Sequence, residues 1–96
     1  MKMLMLVYSG PTPQRISSLL DRHQAGGYTE FRNTHGSGST GKREGSRAWP
    51  GESTLWVSVL PEARSAELVG TLRAATAQLP PGERLHVAVL PTETFF

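Results

Sequence analysis

The chain has 96 residues, 38% of them hydrophobic and 19% charged, a composition that supports one globular core and excludes a long disordered tail. Ten Lys or Arg against eight Asp or Glu leave a formal net charge of +2, too small a bias to argue by itself for a nucleic-acid surface. No cysteine is present, which removes disulfides, thiolate nucleophiles and Cys-based metal sites, and the first apolar run is too short for a membrane span or a signal peptide. The expectation is therefore one domain over residues 1–96, in the cytoplasm.

Met3 to Tyr8 is a continuous apolar run closed by Ser9-Gly10-Pro11, which predicts a central strand buried on both faces. Thr12 as N-cap and Pro13 at the first helical position open a helix over about 13–25, with Ile16, Leu19, Leu20 and His23 on its apolar face. Gly26-Gly27 ends it. Tyr28 to Asn33 reads as a second, more polar strand near a sheet edge, with Glu30 and Arg32 pointing outward.

From Thr34 to Glu52 the chain is rich in glycine and serine and holds no aliphatic residue larger than alanine. Such a segment cannot bury itself, and a loop of this length in a small domain is usually functional or disordered rather than a simple connector. Ser53 to Leu60 then alternates with period two, Leu55, Val57 and Val59 on one face and Trp56, Ser58 and Leu60 on the other. Pro61 starts a second helix with a stripe of Leu68, Val69, Leu72, Ala75 and Leu79, ended by Pro80-Pro81-Gly82. Arg84 to Leu90 is the last strand, Leu85, Val87 and Val89 opposed to His86, Ala88 and Leu90.

This β-α-β-β-α-β order predicts an α+β, ferredoxin-like sandwich, a four-stranded antiparallel sheet with both helices on one face. Two helices cover only one side. The alternation assigns Trp56, Leu60, Ala88 and Leu90 to the uncovered side, an apolar surface that predicts self-association through the sheets.

The central loop contains Gly36-x-x-x-x-Gly41-Lys42, but Arg43 stands where a P-loop needs Ser or Thr and no helix follows. A nucleotide-hydrolysing P-loop is rejected on those grounds. What survives is an adaptable cationic surface, since Arg32, Lys42, Arg43 and Arg47 outnumber Glu44 and Glu52 and glycines let backbone N–H groups approach an anion. Trp49-Pro50-Gly51 reads as an anchor at the loop's far end. His23 and His86 read as packed or interfacial, and His35 has no second His at metal-binding spacing, which leaves Glu30 and Glu44 as the only carboxylate helpers for a metal. No nucleophile, base and acid come together, so no catalytic residue and no metal ligand is assigned.

Gly27-Tyr28-Thr29 looks like the Gly-x-Thr that opens the second strand of PII nitrogen-regulatory proteins, and Gly36-Ser37-Gly38 like the Gly-Phe-Gly at the start of their T-loop. With the element order and the long loop at 34–52, the chain resembles a divergent PII-like signalling protein. Trp49-Pro50-Gly51 is similar to one branch of that superfamily. The resemblance implies a non-enzymatic homotrimer that senses a small anionic ligand, such as an adenine nucleotide, in clefts between subunits and presents residues 34–52 to a target protein.

Departures from the family pattern are specific. Ser39 and Thr40 replace a nucleotide-holding Arg-Gln, Gly82-Glu83 replaces Gly-Lys, the loop has no tyrosine to modify, and Thr94-Phe95-Phe96 stands where phosphate-binding arginines are expected. A nucleotide site would thus be rebuilt, and the residues assigned to ligand binding are Thr29, Gly36, Gly38, Lys42, Arg43 and Arg84. Two alternatives share the fold: a metal-linked protein of the CutA kind, and a nucleic-acid-binding module, for which the first strand offers only Tyr8 and the third only Trp56 as stacking aromatics. An acylphosphatase-like hydrolase would need an anion-cradling turn that Ser9 to Pro13 lacks.

Overall fold

The structure is a computed structural model describing residues 1–23, 27–35, 37–38, 41–42 and 53–96. Its element order is β1 (Lys2–Ser9), α1 (Gln14–Arg22), β2 (Thr29–Thr34), β3 (Ser37–Gly38), β4 (Gly41–Lys42), β5 (Ser53–Leu60), α2 (Glu62–Ala77) and β6 (Arg84–Pro91). The main sheet runs β2-β5-β1-β6, with every neighbour antiparallel. This is the expected β-α-β-β-α-β sandwich, with β1 in the interior of the sheet and β2 at an edge.

Period-two geometry sends alternate residues of each strand to opposite faces. Leu4, Leu6 and Tyr8 of β1, Trp56 and Leu60 of β5 and Leu85 of β6 join Ile16 and Leu20 of α1 and Leu68 and Leu72 of α2 in one buried core. Both helices therefore lie on the face that carries Leu6, which the register pairs with Trp56 on one side and Val87 on the other. Ile16, Leu19 and Leu20 form the buried stripe of α1, and Ser65, Leu68 and Leu72 that of α2, with Val69, Ala75 and Leu79 half-buried beside it.

The other face holds Met3, Met5 and Val7 of β1 and Leu55, Val57 and Val59 of β5, all half-buried, with Ala88 and Leu90 exposed on β6. An uncovered apolar face is thus present, but the alternation of β5 runs opposite to expectation. Trp56 and Leu60 are on the helix side, 0% and 3% exposed. Period two separates the two sets without saying which is covered, and the choice follows the indole N–H: under α1 it finds acceptors, on the bare face it would not.

Several local expectations are also corrected. Thr12 does not cap α1: Pro13 occupies the N-cap position with no side-chain cap, while the Thr12 hydroxyl lies 3.2 Å from that of Tyr8. The helix is also shorter than 13–25, and Gln24 to Gly26 lie outside the described residues. His23 is exposed at its C-terminal end rather than packed on the apolar face. Glu30 points under α1 rather than outward, as shown below.

Strand β2 continues to Thr34, through an irregularity at which Asn33 takes φ 57°. A side chain that tolerates left-handed backbone suits this bulge. The loop expected to lack regular structure contains an antiparallel two-residue ribbon, Ser37 paired with Lys42 and Gly38 with Gly41. Among the described residues no helix is long and apolar enough to cross a membrane.

Candidate functional site

The long loop leaves the sheet at Thr34 and returns at Ser53, and these two residues are register partners. Its base is closed by a hydrogen bond of 2.5 Å from the Thr34 hydroxyl to the Ser53 carbonyl. The row continues across the sheet, Ser53 opposite Ser9 and Ser9 opposite Arg84. Ser9 and Ser53 are each 5% exposed, and their hydroxyls lie 2.9 Å apart. One end of the sheet, where the loop leaves and rejoins it, is therefore polar and carries a half-buried arginine.

On the helix face of the same end, Tyr8 is 1% exposed and donates its hydroxyl proton to Glu83 Oε1 at 2.5 Å. The phenol also accepts from the Thr12 backbone N–H at 3.2 Å. Burial, and then the hydrogen bond to Glu83, push the Tyr8 hydroxyl above its ordinary value, with opposing contacts to Thr12. Arg15 Nη1 stands 3.9 Å from the same carboxylate oxygen, and the Glu83 side chain is only 6% exposed. Gly82, at φ 89°, supplies the left-handed turn that brings Glu83 here. Gly10 is required for a different reason, because a Cβ there would overlap the Tyr8 hydroxyl.

A second buried polar group ties the edge strand down. Glu30 Oε1 accepts from the Ser17 hydroxyl at 2.7 Å and from Trp56 Nε1 at 2.8 Å, while Arg32 Nε donates to Oε2 at 2.6 Å. Hydrogen bonds from Ser17 and then Arg32 hold the Glu30 carboxyl below its ordinary value, outweighing the desolvation that opposes them. The arrangement links α1, β2 and β5. It is a support of the fold, and among the described residues each buried side-chain polar atom is partnered.

Of the residues assigned to ligand binding, Arg84 lies in the polar row at the loop base. Gly38 and Lys42 belong to the ribbon, while Gly36 and Arg43 lie outside the described residues. Thr29 is exposed at the start of β2, opposite Val57, which is itself level with Met5. Arg84 is level with Ser9, four residues further along β1, on a strand three over from β2, so one protomer separates Thr29 from Arg84 by roughly 13 Å along the strands alone. Thr29 instead lines a groove of ≈ 420 Å³ with Met3, Val57, Val59 and Phe95.

The residues that sequence reasoning missed are Ser9, Ser53, Tyr8 and Glu83. Ser9 and Ser53 sit at strand ends, where the first reads only as turn punctuation and the second only as the opening residue of a strand. Tyr8 and Glu83 are 75 positions apart, with no periodicity to link them.

No protein-family profile matches the chain, and no curated protein sequence does. Solved structures do match. The PII-like protein CPII of Thiomonas intermedia K12, bound to ADP and bicarbonate, is 23% identical with a TM-score of 0.67, over 93% of this chain and 84% of that one. A DUF3240 family protein of Shewanella baltica OS155 reaches a TM-score of 0.71 at 15% identity, over 99% and 93%. A PII-like signalling protein of Thermus thermophilus gives 0.63 at 18% identity, over 93% and 82%. The chain has the PII-like, ferredoxin-type fold.

Proposed function

We propose that this is a PII-like regulatory protein, a homotrimer assembled through the open sheet faces that senses a small anionic ligand, an adenine nucleotide being the leading candidate, beneath its central loop. The observation that carries the reading is the loop base: a glycine-rich cationic segment leaves and rejoins the sheet at paired residues, Thr34 and Ser53, beside Arg84. A ligand bound there touches both the rigid sheet and the segment that Lys42 and Arg43 belong to. It can thereby change what residues 34–52 present to a target protein.

Similarity in fold to proteins solved with ADP, AMP and bicarbonate supports the choice of ligand class. Glu83, which stands where the family carries a lysine, is held by Tyr8 and Arg15. Any phosphate contact therefore falls to Arg84 and the loop cations. The nucleic-acid alternative loses the two aromatics it rested on, because Tyr8 and Trp56 are both buried under the helices. Among the described residues no three His, Cys, Asp or Glu side chains are grouped to hold a metal ion, so nothing there favours the CutA-like alternative.

A thermal-shift series with ATP, ADP, AMP, bicarbonate and divalent cations tests the proposal, since a ligand selective for the folded state raises its melting temperature. The expected result is a shift with an adenine nucleotide that Lys42→Ala and Arg43→Ala weaken. A shift with a metal alone would overturn it.

A further inference from the structure

The open face of the sheet is apolar along its middle and basic at one margin. In one row across it the register sets Phe31 opposite Leu55, Leu55 opposite Val7 and Val7 opposite His86. Three of these four side chains are apolar, and the fourth is a histidine on the outer strand β6. His86 is exposed in the single chain, so in an isolated protomer its ring can take up a proton in contact with water.

The surroundings of His86 offer that proton no counter-charge. Arg84 and Ala88 flank it on the same face of β6, Val7 stands opposite on β1, and Met5 and Ser9 lie diagonal to it. Both helices pack on the other face, where Glu83 is engaged by Tyr8 and Arg15 and Glu30 by Ser17, Arg32 and Trp56. Among the described residues of the four strands, the open face thus carries two basic side chains, Arg84 and His86, and no carboxylate.

Four strands about 4.8 Å apart and about 25 Å long present roughly 500 Å² in plan. The accessible area of so corrugated a surface approaches the about 800 Å² per partner of a specific interface. A second copy laid against it through its own open face brings apolar side chains and no acid. A neutral imidazole can be enclosed there, whereas an imidazolium two residues from a guanidinium would be enclosed as an uncompensated charge.

On the premise of self-association through this face, which belongs to the functional reading above, we infer that His86 is a pH switch on assembly: neutral, it lets a second copy close over the open face, and protonated beside Arg84 it drives the copies apart. Histidine is the side chain whose ordinary charge change falls between pH 5 and 8. Assembly is therefore strongest at slightly alkaline pH and is lost as the pH falls, the direction set by a proton that the separated protomer binds more readily than the assembly does.

The test is sedimentation velocity of the intact protein at about pH 8 and about pH 5.5, a span across which histidine changes charge, with circular dichroism at both values to follow folding. The expected result is an oligomer at the higher pH whose dissociation constant rises on acidification by up to roughly tenfold for each copy. His86→Gln should assemble at both pH values and His86→Lys weakly at both. His23→Gln, altered at the exposed end of α1, should behave as the wild type.

An oligomer insensitive to pH, or one that tightens in acid, would overturn the switch and leave self-association standing. A pH response that persists in His86→Gln would do the same. A single-chain species at every pH would overturn both. Should acid unfold the wild type, His86→Lys and His86→Gln compared at about pH 8 decide: weaker assembly of the lysine variant supports the switch, and equal assembly overturns it.

Discussion

The two faces of one sheet are built from similar residues and end in different states. Under the helices, leucines and Trp56 are almost completely buried, and the polar atoms among them, Glu30, Ser17 and the indole N–H, are paired with one another. On the other face Met3, Met5, Val7, Leu55, Val57 and Val59 remain half-buried in a single chain. The difference is closure rather than hydrophobicity. A covered face can take a large side chain with a polar atom because a helix brings an acceptor, while the middle of the open face carries an apolar patch that a second copy can cover.

The sharpest way to break this comparison is to hollow the covered face. Trp56→Ala removes the largest fully buried side chain and deprives Glu30 and Ser17 of the indole donor, and should cost about 3–5 kcal/mol in denaturant unfolding. Leu55→Ala, on the open face of the same strand, should cost clearly less in the isolated protomer. Equal losses would mean that both faces are closed.

Next in size are the two buried carboxylates. Tyr8→Phe breaks the bond between strand β1 and the turn before β6 and Glu83→Gln removes the charge that strengthens it, and each should cost about 1–3 kcal/mol. Because the Tyr8 hydroxyl is raised in the folded state, its contribution is complete below the ordinary value of 10.0 and is lost as pH climbs through the folded value. Tyr8→Phe should therefore flatten the alkaline limb of the stability profile.

Glu30 works in the opposite direction. Its carboxyl is held low, so its contribution is present above the ordinary value of 4.5 and is lost as pH falls through the lower folded value. In Glu30→Gln the acid limb should become shallower, at a cost of about 1–3 kcal/mol near neutrality. An unchanged acid limb would show that the Ser17, Arg32 and Trp56 contacts do not act on a charge.

The smallest effect on folding should come with the largest effect on assembly. Met5→Lys places a charge in the middle of the open face, opposite Val57 and Ala88. It should change protomer stability by only about 1 kcal/mol while dissociating the oligomer in sedimentation velocity. Unaltered sedimentation would remove the open face from the interface.

How much of this is legible in the sequence follows from the range of the interactions. Strand and helix order depends on local periodicity and on Gly and Pro punctuation, and the expected strand Ser53 to Leu60 matches β5 to the residue. Face assignment depends on tertiary partners, so the period-two pattern of that strand is readable while its covered side is not. At the candidate site Arg84 is recognisable as a cation, but its serine neighbours come from β1 and β5 and meet it only through register. Glu83 reads in sequence as a lost phosphate contact, whereas in the fold its charge is engaged by Tyr8 and Arg15.

The proposal that the chain is a nucleotide-sensing trimer is tested most directly by native mass spectrometry of the protein with and without ADP. The account predicts a species of three times the 10.5 kDa chain mass, gaining discrete increments of one nucleotide mass each when ADP is added. A lone 10.5 kDa species that gains no nucleotide at any protein or ADP concentration would contradict it.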